Sequence, residues 1–293
     1  MSTALPQRTT TYKGTVTNTH RWDSFTPRDD DIFICTPDKC GTTWTQAICA
    51  LLVFGTPDHG KQPAMISPWV DAEMLPLEMM NQMLEAQTHR RFLKTHTPLD
   101  GIPYHAQCTY VAVFRDPRDA HLSMRNHILN QKNDVFDDKL KANVSEGLRA
   151  WATEPHLEGV REEFNLESVV EMYKSYARYA HLPNIHMFHY SDMKRDLKHE
   201  MSRFALALGI EHDDALMDRL VKAASFTHMK KNAKQFAPAS GMDVWKDEAQ
   251  FFNKGTSQWR DVIVADDLAI YDGRIRTMLS MEEIAWLEDG NVA

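Results

Sequence analysis

The chain reads as an α/β protein: a single domain, residues 1–293, with a central parallel sheet flanked by helices. Three observations predict this. Short β-rich apolar runs alternate with longer segments of helical periodicity. Two of those runs pass through a tight polar turn straight into a helix, as βα units do. No internal repeat or low-complexity tract divides the chain, and its 43% hydrophobic and 25% charged content is that of ordinary globular sequence.

Residues 31–36 (DIFICT) form a short buried strand after a charged cluster. In the following TTWTQAICALLVF, Trp44, Ile48, Leu51 and Leu52 recur at helical spacing, with Thr42 and Thr43 at the start. A helix is expected near 76–87, then a strand at 91–94 and a stronger one at 108–114 (CTYVAVF). Pro117 suits the first turn of a helix, where its missing N–H is not needed, and this helix is expected to reach about Asn130. Residues 131–160 are polar and weakly periodic, and are expected to form a mobile segment that closes over a bound substrate. Helical periodicity returns at 166–181, a strand at 185–189, helices near 193–208 and 213–223, and more helix beyond Asp266.

Charge and cysteine content narrow the function classes. A net charge of −8 argues against a general nucleic-acid binder and directs attention to a small basic pocket within an acidic surface. The opening MSTALPQRTTTYKG lacks the apolar core of a secretory signal, and no stretch approaches the roughly 18 apolar residues of a membrane span. Cys35, Cys40, Cys49 and Cys108 include no C-x-x-C pair, so reduced thiols and a cytoplasmic location are expected.

Three segments carry chemistry. TPDKCGTTW (36–44) is a Gly-containing loop between strand and helix, where backbone N–H groups and the helix dipole favour an anion. Lys39 adds a full charge, and Thr42 and Thr43 add hydroxyls; taken alone, the segment equally fits an ordinary βα loop with a threonine cap. It is not a Walker loop, because Lys39 precedes Gly41 instead of following the last glycine. In FRDPRDAHLSMRNH (114–127), Arg115 ends the strongest strand, where ligands of open α/β sheets gather, and Ser123 lies about two turns into the next helix. Arg118 and Asp119 there read equally well as a solvated, salt-bridged first turn. In RFLKTHTP (91–98), His96 sits just past a strand, placed to abstract a proton from a hydroxyl, although a lone histidine is more often structural. A metal site built from His181, His186 and His189 is a weak alternative, since His186 and His189 fall on opposite strand faces and do not converge.

Together these segments resemble the cytosolic-type sulfotransferase family that uses 3′-phosphoadenosine 5′-phosphosulfate (PAPS), and the likeness runs through most of the chain. Residues 36–44 resemble the family's TYPKSGTTW loop, Arg115 and Ser123 its 3′-phosphate segment, and Lys94-Thr95-His96 its KTH motif. ASFTHMKKN (224–232) resembles its adenosine-contacting segment, and FFNKGTSQW (251–259) its late RKG-x-x-G-x-W motif. The resemblance implies a P-loop-like phosphosulfate-binding loop and a transferase that needs no metal. It implies His96 as general base, with Lys39 and Lys94 assisting catalysis. Lys39, Cys40, Gly41, Thr42, Thr43 and Trp44 would hold the 5′ end of the donor. Arg115, Ser123, Phe252, Asn253, Lys254 and Gly255 would take the 3′-phosphate, and Tyr190, Ser225, Phe226 and Met229, with Trp44, the adenosine. The expected acceptor is a small alcohol, phenol or glycolipid. The texture of RRFLKTHTPLDG and SPWVDAEMLP is closest to bacterial members assigned to glycolipids, with Met65, Pro68, Trp69 and Met74 as candidate lining.

The chain departs from the pattern at four places. Cys40 replaces serine, Asp38 stands where proline is common, Asn253 replaces arginine, and GTSQW lacks a glycine and one residue. These changes predict a weaker grip on the 3′-phosphate. They keep open a donor-binding protein without efficient turnover, beside a nucleotide-dependent kinase of P-loop type.

Overall fold

The structure is a computed structural model that describes residues 4–133, 135–136, 143–238, 243–252 and 255–291. Four strands, β1 (Ile32–Cys35), β2 (Phe92–Thr95), β3 (Thr109–Phe114) and β4 (Ile185–His189), make one parallel sheet in the order β2-β1-β3-β4. Parallel strands are covered on both faces, and every residue of β1 is buried. Ile32 and Ile34 face one core with Val111, Val113 and Phe188, while Phe33 and Cys35 face the other with Tyr110, Ala112 and Phe114.

Helices close both faces. The Ile32 side is covered by α1 (Thr42–Phe54), α8 (Leu197–Ala207) and α9 (Asp214–Ala224). The Phe33 side is covered by α5 (Val144–Thr153), α6 (Leu166–Ala177), α12 (Ala265–Ile275) and α13 (Met281–Asp289). Short helices α2 (Pro63–Ile66) and α3 (Leu77–Glu85) lie between β1 and β2, and α4 (Pro117–Asn130) follows β3. The set is completed by α7 (Tyr190–Arg195), α10 (Phe226–Lys231) and α11 (Ala233–Phe236).

Two expectations change in detail. The helix expected over 193–208 is two helices, because Asp196 leaves helical geometry to accept the His199 N–H and cap α8. The segment 131–160 contains α5, whose Leu148 and Trp151 enter the core, and Lys132 pairs its N–H with the Val244 carbonyl. Residues 134 and 137–142 of that segment lie outside the described residues. No described helix is long and apolar enough to cross a membrane.

The strand order sets the place of the site. The chain leaves β1 for β2 on one side and then crosses to β3 on the other, so connections diverge between the carboxyl ends of β1 and β3. That crevice is where open α/β sheets bind ligands.

Candidate active site

The loop after β1 is shaped to face an anion. Lys39 and Gly41 take positive φ (62° and 104°), and Gly41 caps α1 without a side-chain hydrogen bond, which leaves the helix N-terminus open. A side chain at Gly41 would strain this backbone and meet Tyr190 Cδ2 at 2.9 Å. Thr42 Oγ1 lies 2.6 Å from Thr36 Oγ1, tying the helix start to the end of β1. Cys40 is fully buried and Thr43 half-buried, so the loop turns its cysteine inward.

Three cations gather beside it. Arg115, at the end of β3, donates through Nη1 to the Lys39 carbonyl (2.9 Å) and through Nη2 to the Gly255 carbonyl. Its Nε is buried with no hydrogen-bond partner among the described residues, a donor left over for a ligand. Burial pushes the Lys39 ammonium down to about 7 and the Lys94 ammonium down to about 8, with Asp38 opposing the shift in both. Lys94 Nζ sits 4.6 Å from the centre of the Trp69 ring.

His96, 8% exposed, follows β2 directly. Its Nδ1 lies 2.7 Å from the Thr36 carbonyl, which can only accept, so Nδ1 carries the proton and Nε2 is the basic nitrogen. Burial lowers its pKa, with Asp38 opposing and Lys94 assisting, so the ring is neutral near pH 7. Trp69 packs edge-on against the ring at 4.7 Å, and Arg161 Nη2 donates to the His96 carbonyl (2.8 Å). Asp71 accepts from both Thr95 and Thr97 hydroxyls at 2.7 Å, fixing the backbone on either side of His96.

The adenosine candidates form an aromatic corner. Trp44 donates Nε1–H to the Ala224 carbonyl (2.8 Å) and meets Tyr190 at 5.2 Å and Phe226 at 6.4 Å. Phe252 closes the corner 6.3 Å from Phe226, and Arg115 lies 4.7 Å over the Tyr190 ring. Ser225 accepts from the His228 N–H and caps α10, while Met229 is buried beneath it. Ser123 is half-buried on α4, and its hydroxyl has no hydrogen-bond partner among the described residues. Gly255 lies beside Tyr190, and Asn253 and Lys254 lie outside the described residues.

The first turn of α4 is buried, not solvated. Arg118 pairs with Asp116 and Glu288, and its guanidinium lies 4.0 Å from the Trp259 ring centre. Asp119 accepts the backbone N–H groups of Ser257 (2.6 Å), Gln258 (2.8 Å) and Trp259 (3.4 Å), pinning the late segment against the site. An indentation of about 360 Å³, counted to its open mouth, begins at Pro37 and Asp38 and runs past His121, Met124, Trp151, Arg161 and Phe164. Asp38 Oδ1 is 3.8 Å from His96 Nδ1, so this hollow adjoins the imidazole. Met65 and Met74 are exposed and are not among its lining residues, while Trp69 packs on His96.

The family model described as "Sulfotransferase domain" matches residues 29–280. The chain belongs to the sulfotransferase family. This sulfotransferase is 32% identical over 309 residues to the glycolipid sulfotransferase of Mycobacterium tuberculosis (strain H37Rv), covering 95% of this chain and 94% of the relative. It is 26% identical over 232 residues to human sulfotransferase 1C2, covering 74% of this chain and 72% of that one. The fold is shared with mouse sulfotransferase SULT7A1, solved with PAP, at TM-score 0.70 and 20% identity over 91% of this chain and 89% of that one. It is shared also with retinol dehydratase, solved with androsterone and PAP, at TM-score 0.66 and 20% identity over 89% and 84% of the two chains. Sequence reading singled out the loop, Arg115 and His96 of this sulfotransferase as candidates, each from its own segment. It missed Asp71, Arg161 and the roles of Arg118 and Asp119, whose partners lie far along the chain and leave no local pattern.

Proposed function

We propose that this sulfotransferase moves a sulfuryl group from PAPS to an acceptor hydroxyl, with His96 as general base. One observation carries the reading: a neutral imidazole with its basic nitrogen free stands beside an open helix N-terminus and the cations of Lys39, Lys94 and Arg115. The residues fit such a donor, since Arg115 Nε is an orphaned buried donor and Gly41 leaves room at the loop. When bound, PAPS supplies a sulfuryl group on a phosphate leaving group. Lys39 and the α1 amides would neutralise negative charge at the 5′ end, and Lys94 would assist beside His96. Arg115 would take the 3′ end with Ser123, Asn253, Lys254 and Gly255, and Trp44, Tyr190 and Phe226 would hold the adenine. His96 Nε2 would accept the hydroxyl proton, while the Thr36 carbonyl keeps the ring in the required tautomer.

The mycobacterial relatives support an acceptor with a lipid portion. The hollow beside Asp38 suits this, since Met124, Trp151, Phe164 and Val169 give it apolar walls. Thermal unfolding with adenosine 3′,5′-bisphosphate, against AMP and ATP, tests the donor class. A ligand at about 100 times its dissociation constant adds about 2.7 kcal/mol, a shift of several degrees. A shift with ATP alone would refute the reading. His96→Ala is expected to keep the bisphosphate shift and lower turnover by about 10²–10⁴; unchanged turnover at saturating acceptor would remove the base role.

A further inference from the structure

We propose that His127, near the end of α4, is a positioning residue that holds the Lys39 ammonium in place, oriented in turn by Gln131. Lys39 Nζ lies 2.9 Å from His127 Nδ1. An ammonium only donates, so Nδ1 is the acceptor and the imidazole proton sits on Nε2. That Nε2 is 3.3 Å from the Gln131 amide nitrogen, an impossible pairing of two donors, while Gln131 Oε1 is buried without a partner among the described residues. Turning the amide over removes the clash of donors: Oε1 accepts the Nε2–H, and the tautomer is fixed with its lone pair towards Lys39.

The surroundings keep this chain of contacts in register. Gln131 donates its backbone N–H to the His127 and Ile128 carbonyls and bridges to Trp245. The His127 ring meets Trp245 at 4.9 Å and Phe251 at 6.1 Å, and the Phe251 ring lies 4.8 Å from Lys39 Nζ. The charged and titratable groups facing Lys39 are Asp38 and Cys40, which favour its charge, and Arg115 and Lys94, which oppose it. His127 feels Lys39, Lys94 and His96 as well as its own burial, all of which keep it neutral.

A neutral acceptor has a consequence that a carboxylate would not. It holds the ammonium at the loop without cancelling its charge, so an arriving anion meets the whole of it. The inference rests on the reading that Lys39 faces the 5′-phosphate. Because burial brings Lys39 down to about 7, the anion favours the protonated form, and binding takes up a proton at and above neutral pH.

The test is calorimetric titration with adenosine 3′,5′-bisphosphate across neutral and alkaline pH, in two buffers of different ionisation enthalpy. His127→Phe keeps the ring between Trp245 and Phe251 and removes the acceptor; His127→Asn places an amide oxygen near the position of Nδ1. In wild type, affinity is expected to fall as Lys39 loses its proton. His127→Phe should bring that fall to lower pH and cost about tenfold or more on the alkaline side, and His127→Asn should restore most of it. Superimposed wild-type and Phe profiles, or an equal loss at every pH in both variants, would overturn the proposal. Imidazole ¹⁵N spectra of the ligand-free protein, recorded below neutral pH where Lys39 keeps its proton, give a second reading: an Nε2–H tautomer at His127 supports the proposal and an Nδ1–H tautomer overturns it. If the wild type does not bind the bisphosphate, the donor reading fails and the tautomer decides this inference by itself.

Discussion

Asp119→Ala tests whether one buried carboxylate organises the late segment. The carboxylate is 2% exposed and accepts three consecutive backbone N–H groups, from Ser257, Gln258 and Trp259. Alanine orphans all three. A buried, unsatisfied donor costs about 1–3 kcal/mol, but Ser257 and Gln258 reach solvent, so the sum is about 2–4 kcal/mol. For a domain of this size that lowers the melting temperature by about 3–7 °C. The same segment carries Gly255, whose carbonyl receives Arg115, so affinity for the bisphosphate should fall with stability. Asp119→Asn is the graded control. Burial already pushes the Asp119 carboxyl up, which means charge is costly there and the acceptor oxygens are what the site uses. Asparagine keeps one such oxygen and should fall between wild type and alanine. Differential scanning fluorimetry and calorimetry read the two effects. An alanine variant that melts with wild type, or an asparagine variant weaker than alanine, would refute the reasoning.

Two further outcomes follow from burial. His121 is pushed down to about 4, chiefly by desolvation and then by Arg125, whereas in the unfolded chain its pKa returns to the ordinary value of about 6.5. As pH falls from about 6.5 to about 4 the unfolded chain gains a proton that the folded one refuses, so stability is lost by about 2–3 kcal/mol. His121→Phe should flatten that part of the stability–pH curve, and an unchanged slope in the difference from wild type would count against it. Burial also pushes the thiols of Cys35, Cys40, Cys49 and Cys108 up to about 12, so none should react with iodoacetamide at pH 8 until the protein unfolds. Rapid labelling of Cys40 in the folded protein would show that the loop opens.

What the sequence disclosed was what is local. The apolar runs at Ile32 and Thr109 could only be buried strands, and Pro117 marked the start of α4 to the residue. His96 stood out because it follows a strand directly. By contrast α5 was hidden, since in ten residues it carries Ser145, Glu146 and Arg149 beside its apolar face, and its packing against α12 decides its state. Asp71 sits 24 positions before the Thr95 hydroxyl it accepts, and Lys39 finds His127 88 positions on. No local period or cap marks such a pairing. Arg118 and Asp119 show the same limit: charge at a helix start is compatible with solvent or with partners brought in from the far end of the chain.

One helix gathers a large share of this. From Arg118 and Asp119 in the first turn to Ser123 and His127, α4 presents its side chains at fixed angular offsets, about 100° per residue. A single inserted residue between Asp119 and His127 would rotate everything beyond it by that angle, carrying His127 off Lys39 while Asp119 still held the late segment. Insertions after Lys132 would rotate nothing. Length variation among proteins built on this plan should therefore be forbidden within α4 and tolerated just beyond it, so that α4 acts as the gauge by which both ends of the site are kept in step.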